Sequence, residues 1–310
     1  MVNKNCWILL VDQKYFLYPY SKINFIKLGN SSTSLSTIYA NGKLLDLSRP
    51  QIMAIVNLTH DSFYEGSRFK DLSRVINAVE KFIKEGASII DIGAVSSRPF
   101  ADPVTEKEEL NRILPVIEEI RKSFPDVFVS VDTVRSEVAK QCIDKGVDII
   151  NDISGGNEDP LMDELMAKTG LPYIIMHMQG NPQTMQINPH YEDLILDILK
   201  FFSKTIHMLK LKGINQIIID PGIGFGKTIE HNFKLLKSLS SFKIFDLPIL
   251  LGVSRKSLIY KCLHIDADQS LNGTTALHSF GLLNGANILR VHDVREAKEC
   301  IELCNVYQSQ

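Results

Sequence analysis

From Gln51 onward the chain alternates between short β-branched runs and longer amphipathic stretches, and that alternation limits its fold more than any other feature. The runs lie at 52–56, 88–92, 127–131, 148–150, 173–176, 216–219, 248–251 and 287–291. Between them, apolar residues recur at helical spacing over 72–85, 105–124, 135–145, 161–169, 191–212, 233–239 and 274–283, and 293–305 closes the series. Gly86, Gly146, Gly170, Gly213 and Gly285 each follow such a stretch, where a helix C-terminus takes a left-handed residue. Parallel strands need a long crossover, so strict alternation predicts a parallel α/β fold. Eight repeats fit a closed (β/α)8 TIM barrel better than an open doubly wound sheet.

The 310 residues accommodate a barrel of ~250 residues and a short addition. Residues 1–47 are read as an N-terminal extension, a hairpin with Asn41-Gly42 as its tight turn, and 48–310 as the barrel domain. The apolar run at 6–11 is too short to span a membrane, and no small-residue cleavage site follows it. A formal charge of −2 gives no electrostatic case for nucleic acid. The five cysteines are scattered without a Cys-x-x-Cys pair, which argues against a zinc site or a disulfide framework and for a reducing, cytoplasmic setting.

In a barrel the active site gathers at the C-terminal ends of the strands. Those ends carry Asn57, Asp91, Asp132, Asn151-Asp152, His177, Asp220, Arg255-Lys256 and Arg290 with His292. A single such residue is readily a satisfied core group or a helix N-cap. A polar residue closing nearly every run is a ring of function. The run ending on Asp220 continues into Gly222, Gly224, Gly226 and Lys227-Thr228, which invites a P-loop reading. A P-loop needs Gly five residues before the lysine's preceding glycine, and Pro221 stands there, so that reading fails.

Two chemistries remain. Asp132, Asn151 and Asp220 offer carboxylates and an amide for the donor edge of a flat, nitrogen-rich heterocycle. Lys256, Arg290 and His292 offer donors to an anion such as a phosphate. Asn57, with Thr59, His60 and Asp61, supplies oxygen ligands suited to Mg2+ beside phosphates. No Ser/His/Asp nucleophile arrangement stands out. His177 suits a base or a structural role, and Arg98 in Val95-Ser96-Ser97-Arg98-Pro99 suits a turn or an anion contact.

Taken in order over about residues 41–294, the motifs resemble the dihydropteroate synthase family. Met53-Ala54-Ile55-Val56-Asn57-Leu58-Thr59-His60-Asp61-Ser62-Phe63 resembles its first loop, and Asp91-Ile92-Gly93 through Ser97-Arg98-Pro99 its second. Ser130-Val131-Asp132-Thr133, Asn151-Asp152-Ile153 and Met176-His177-Met178-Gln179-Gly180-Asn181-Pro182 follow. Asp220-Pro221-Gly222-Ile223-Gly224-Phe225-Gly226-Lys227, Ser254-Arg255-Lys256 and Arg290-Val291-His292-Asp293 complete the set. The resemblance implies a Mg2+-assisted transferase in which 4-aminobenzoate displaces diphosphate from 6-hydroxymethyl-7,8-dihydropterin diphosphate, and it implies a homodimer.

It also implies residue roles. Asp132, Asn151, Met176, Asp220 and Lys256 would hold the pterin, and Asn57 the metal. Asn57, Ser97, Arg98, Arg290 and His292 would face the diphosphate. Ser97, Arg98, Pro99, Phe225 and Ser254 would face the aminobenzoate, and Asp61 would stabilise developing positive charge, with Lys256 and Asn57 beside it in catalysis. His60 stands in place of proline, Ala94-Val95 in place of Gly-Glu, Ser97 in place of threonine and Phe100 in place of glycine. A corrinoid-type pterin methyltransferase on a related barrel is the rival, but it should lack the Ser-Arg-Pro loop and the terminal Arg-x-His pair. A decayed, non-catalytic pterin-binding barrel should have lost Asn57, Asp132, Asp220, Lys256 or Arg290.

Overall fold

The computed structural model describes residues 37–58, 68–95, 104–180, 185 and 187–310, and the backbone of strands β1 (Cys6–Val11) and β2 (Lys14–Pro19). The expected residues Asp61, Ser97, Arg98 and Pro99, and the departures His60 and Phe100, lie outside the described residues. The chain divides into two compact units, Met1–Thr33 and Ser34–Gln310. In the first, β1 and β2 pair antiparallel from Cys6↔Pro19 to Val11↔Lys14.

The second unit opens on a hairpin, β3 (Thr37–Ala40) and β4 (Lys43–Asp46). Its turn is Asn41-Gly42, with φ of 50° and 80°, the two positive values a type I′ turn requires. Ile38, Ala40, Leu45 and Leu47 are buried in the same core as the barrel. The hairpin thus belongs to the same compact unit as the barrel. Polar contacts fix it at the N-terminal ends of the strands. The fully buried Asp148 accepts from Lys43 Nζ at 2.7 Å, Asn41 Nδ2 at 3.0 Å and Val129 N at 2.8 Å, and pairs with Arg121.

Eight parallel strands follow: β5 (Gln51–Asn57), β6 (Ile89–Gly93), β7 (Phe128–Asp132), β8 (Ile149–Asp152), β9 (Tyr173–Met176), β10 (Ile217–Asp220), β11 (Leu250–Leu251) and β12 (Ile288–Val291). Their order is β10-β9-β8-β7-β6-β5-β12-β11, and a bridge between Ile219 and Ile249 closes β10 onto β11. The fold is the expected (β/α)8 barrel. Strands such as Ile217-Ile218-Ile219 are buried on both faces, which is why they read as unbroken apolar runs.

The connections are α1 (Arg68–Glu85), α2 (Glu106–Ser123), α3 (Ser136–Asp144), α4 (Leu161–Thr169), α5 (Leu194–Leu211), α6 (Ile229–Lys237), α7 (Ser257–Leu263), α8 (Leu271–Leu283) and α9 (Val294–Gln308). The five glycines expected to end helices all have positive φ. Two differences from the sequence reading concern the last third. The run at 248–251 forms a strand only at Leu250–Leu251, since Pro248 has no N–H to give the ladder. Helix α7 was not foreseen, and it starts directly after that strand's loop.

Candidate active site

Parallel register places Asp132 level with Asn151 on β8 and with Gly93 on β6. A Cβ on Gly93 would lie 3.4 Å from that of Asp132, so this glycine leaves the acid its room. Met176 is the register partner of Asp220, which puts the buried thioether beside that carboxylate. The mouth thus gathers Asp91, Asp132, Asn151, Met176, Asp220, Lys256 and Arg290 from separate strand ends.

Arg290 ties the acids together. Its Nε donates to Asp91 Oδ2 at 2.7 Å and its Nη2 to Asp132 Oδ2 at 2.8 Å. Asn151 Nδ2 lies 3.3 Å from the same Asp91 oxygen, while Asp91 Oδ1 is buried without a partner. Burial works against the Arg290 charge, but Asp91 and Asp132 outweigh it and hold the guanidinium above its ordinary range. Burial pushes the Asp132 carboxyl up to about 7, with Arg290 opposing. It raises Asp220 as well, with Lys256 opposing. The Lys256 ammonium is lowered by burial to about 8. Acids pushed up and a lysine pushed down mark a site whose charges lack water, and complementary charges on a ligand relieve that cost.

Lys256 occupies the N-cap of α7, where a cation opposes the helix dipole. The turn before it is held open by Arg255, whose φ is 53°. A bidentate pair with Asp293 (2.9 and 2.8 Å) and a bond from Arg255 Nη1 to Asp268 O (2.9 Å) over-determine that strained residue. Lys256 Nζ then bonds to Ile223 O and sits 4.5 Å over the Phe225 ring. Ser254 Oγ lies 3.0 Å from His292 Nδ1 and accepts from His292 N at 3.2 Å, so Ser254 fixes the exposed imidazole at the rim.

Three members of the sequence-read ring are turned to other work. Arg255 is the brace just described. Asp152 accepts from Ser154 N (2.7 Å), Gly156 N (2.8 Å) and Tyr173 Oη (2.7 Å), a loop anchor. His177 is buried and lowered to about 3 by burial and then by Lys227, its Nδ1 being 3.1 Å from Lys227 Nζ. This leaves it structural, not a base. Two residues have roles that the sequence reading did not assign them. Lys227 is buried within its own loop and lowered by burial to about 7. Arg112, inside α2, bonds Leu58 O (3.4 Å) and Ala94 O (3.1 Å), the carbonyls where the first and second loops leave the barrel. An arginine on an amphipathic helix carries no sequence mark of such a reach.

Asn57 ends β5 with its side chain exposed. Among the described residues no three His, Cys, Asp or Glu side chains are placed to hold a metal. One amide oxygen suits a cation that takes its other ligands from substrate and water, as Mg2+ does, and so the donor set fits. No helix among the described residues is long and apolar enough to cross a membrane.

Interleaved acids and cations at one barrel mouth, types suited to a heterocycle and to an anion, are the features expected of a pterin-binding barrel enzyme, and comparison with known proteins agrees. Residues 53–292 match the family described as pterin binding enzyme. Dihydropteroate synthase of Haemophilus influenzae is 44% identical over 268 residues, 86% of this chain and 97% of that protein. A dihydropteroate synthase from Yersinia pestis, solved as a sulfonamide drug complex, superposes with a TM-score of 0.83 at 42% identity, covering 88% of this chain and all of that one. The Xanthomonas albilineans enzyme solved with 4-aminobenzoic acid gives a TM-score of 0.82 at 32% identity over 89% and 99% of the two chains. The chain belongs to the dihydropteroate synthase family of pterin-binding enzymes.

Proposed function

We propose that this barrel joins 4-aminobenzoate to 6-hydroxymethyl-7,8-dihydropterin diphosphate, giving 7,8-dihydropteroate and diphosphate. The observation that carries the reading is the meeting of Asp91 and Asp132 on Arg290 at the barrel mouth, with Lys256 close enough to Asp220 to oppose the rise in its carboxyl. Asp132, Asn151 and Asp220 accept from the pterin's N–H and amino groups, and Lys256 donates to its acceptors. Arg290 and His292 take the diphosphate. Asn57 would hold Mg2+ against that group, where the ion supplies charge neutralisation to the leaving oxygens.

Diphosphate so neutralised leaves without needing a proton from the protein. The electron-rich pterin shares the positive charge left on its methylene carbon, and Asp61 stabilises it, so departure runs ahead of attack. The amine of 4-aminobenzoate is uncharged at neutral pH and needs position more than a base. On this reading Phe225, Ser254, Ser97, Arg98 and Pro99 supply it. The domain 48–310 expected from sequence is on this reading the whole catalytic unit, with the hairpin Thr37–Asp46 as its floor.

Purified protein given the pterin diphosphate, Mg2+ and 4-aminobenzoate should release diphosphate in step with dihydropteroate. Turnover missing with all three present would sink the assignment. A cytoplasmic homodimer is part of the same reading. Phe280 and Leu283 on α8, and Leu303, Val306 and Tyr307 on α9, are exposed, and Cys304 Sγ at 3.9 Å from Ser279 O sets those helices side by side. Sedimentation at micromolar protein should give twice the chain mass of 34.9 kDa.

A further inference from the structure

The glycine-rich loop after β10 keeps the one element of a P-loop that should matter, a lysine, yet the lysine does not face a ligand. Lys227 Nζ bonds Gly222 O and Phe225 O at 2.9 Å and His177 O at 3.3 Å, with His177 Nδ1 at 3.1 Å. An ammonium has three protons, and these acceptors use them all. It ties the loop to itself and to the end of β9.

The backbones there leave no slack. A Cβ on Gly222, whose φ is 73°, would fall 1.9 Å from His177 O, and one on Gly226 would fall 2.8 Å from Gln179 O. The outer side is held too. Tyr191 Oη donates to Gly226 O at 2.8 Å, and Gly224 N donates to Asn232 Oδ1 at 2.7 Å. What the loop presents inward is the set on which the proposed chemistry depends. Gly222 N donates to Asp220 Oδ1 at 2.8 Å, Ile223 O accepts from Lys256, and the Phe225 ring lies under the Lys256 ammonium.

We propose that Lys227 and Tyr191 are positioning residues that brace the wall 222–226 from inside and outside, fixing Phe225 for the aminobenzoate and Asp220 with Lys256 for the pterin. The assignment of substrates rests on the dihydropteroate synthase reading; the brace itself does not. Tyr191→Phe removes one hydrogen bond and no packing volume. It should raise the KM for 4-aminobenzoate about fivefold, the worth of one ordinary hydrogen bond, with kcat within about twofold of the parent. Lys227→Met also loosens Asp220 and Lys256. It should raise KM for both substrates and lower kcat/KM by on the order of a hundredfold.

The second readout is hydrogen exchange of the amides at 222–227, which should be at least about tenfold faster in both variants than in the parent. A purely structural role would lower active protein while leaving both KM values and the loop amides unchanged, and that outcome overturns the brace. If Lys227→Met fails to fold, Tyr191→Phe carries both measurements. A parent protein without turnover would defeat the substrate assignment, and hydrogen exchange would still decide the brace.

Discussion

Arg290 can be removed without touching the fold's apolar core, and the cost can be worked from its neighbours. In Arg290→Met the 2.7 Å bond to Asp91 and the 2.8 Å bond to Asp132 vanish. Asp132 retains partial access to water, its side chain being 19% exposed, but Asp91 is at 0%. Asp91 would keep only Asn151 Nδ2 at 3.3 Å on one oxygen and nothing on the other. Breaking a buried ion pair from one side costs about 3–5 kcal/mol, most of it the penalty of the charge left behind. Adding Asp91→Asn removes that charge, so the double variant should recover about half of the loss or more. Urea denaturation followed by circular dichroism measures both, with diphosphate release assayed in parallel. Turnover should stay low in the double variant, because the cation for the diphosphate is still missing. A cost below about 1 kcal/mol for Arg290→Met, or no recovery in the double variant, would show that Asp91 is not the charge Arg290 neutralises.

His278 is buried with neither ring nitrogen partnered, and burial lowers it to about 4 from an ordinary 6.5. Above pH 6.5 both folded and unfolded chains carry it neutral. As pH falls only the unfolded chain takes the proton, so about 3 kcal/mol of stability drains away between 6.5 and about 4. His278→Leu should remove that share of acid lability in melting curves from pH 7.5 to 4.5, leaving the part due to His177; an unchanged slope would refute it. Burial raises Asp132 to about 7, so pterin affinity should weaken as pH drops through that value, by up to about tenfold per unit, and titration calorimetry giving a flat profile would exclude Asp132 as an acceptor. Removing residues through 47 strips Ile38, Leu45 and Leu47 from the core and should lower stability by about 1.5–3 kcal/mol for each, read from the urea midpoint; an unchanged midpoint would show that the hairpin is no part of the core. Asn57→Ala should raise the Mg2+ concentration needed for half-maximal turnover, and an unaltered metal titration would remove Asn57 from the metal site.

What the sequence disclosed follows from how local each signal is. The Asn41-Gly42 turn and the double-buried isoleucine strands are written in adjacent residues, and both are found in place. Helix α7 spans seven residues, too few to display a 3.6-residue period, and so it passed as loop. Asp152 was counted with the binding ring although Ser154 and Gly156 follow it, a spacing that favours a carboxylate folding back on its own turn. That clue was available. The bonds of Arg290 to Asp91 and Asp132 join residues 199 and 158 positions apart, and only a closed barrel brings them together. Lys227 shows the same limit: a glycine-rich run ending in lysine reads alike whether the ammonium faces a ligand or its own carbonyls.

That long-range pairing explains how one barrel mouth holds so much charge without a ligand. Asp91, Asp132 and Asp220 are met there by Lys256 and Arg290, which reach them from other strand ends, while Lys227 bears on Asp220 from within the loop that follows it. Paired in this way, the charges are penalised by the low dielectric less than the same ions would be separately. A substrate with donors at its heterocycle and an anion at its far end can enter by exchanging partners with these groups, acids to ring and Arg290 to diphosphate, the anion taking up the cation that the acids release. The corollary is that stability and binding use the same residues here. A single charge removed from the mouth unbalances both, and only paired substitutions such as Asp91→Asn with Arg290→Met can separate the two effects.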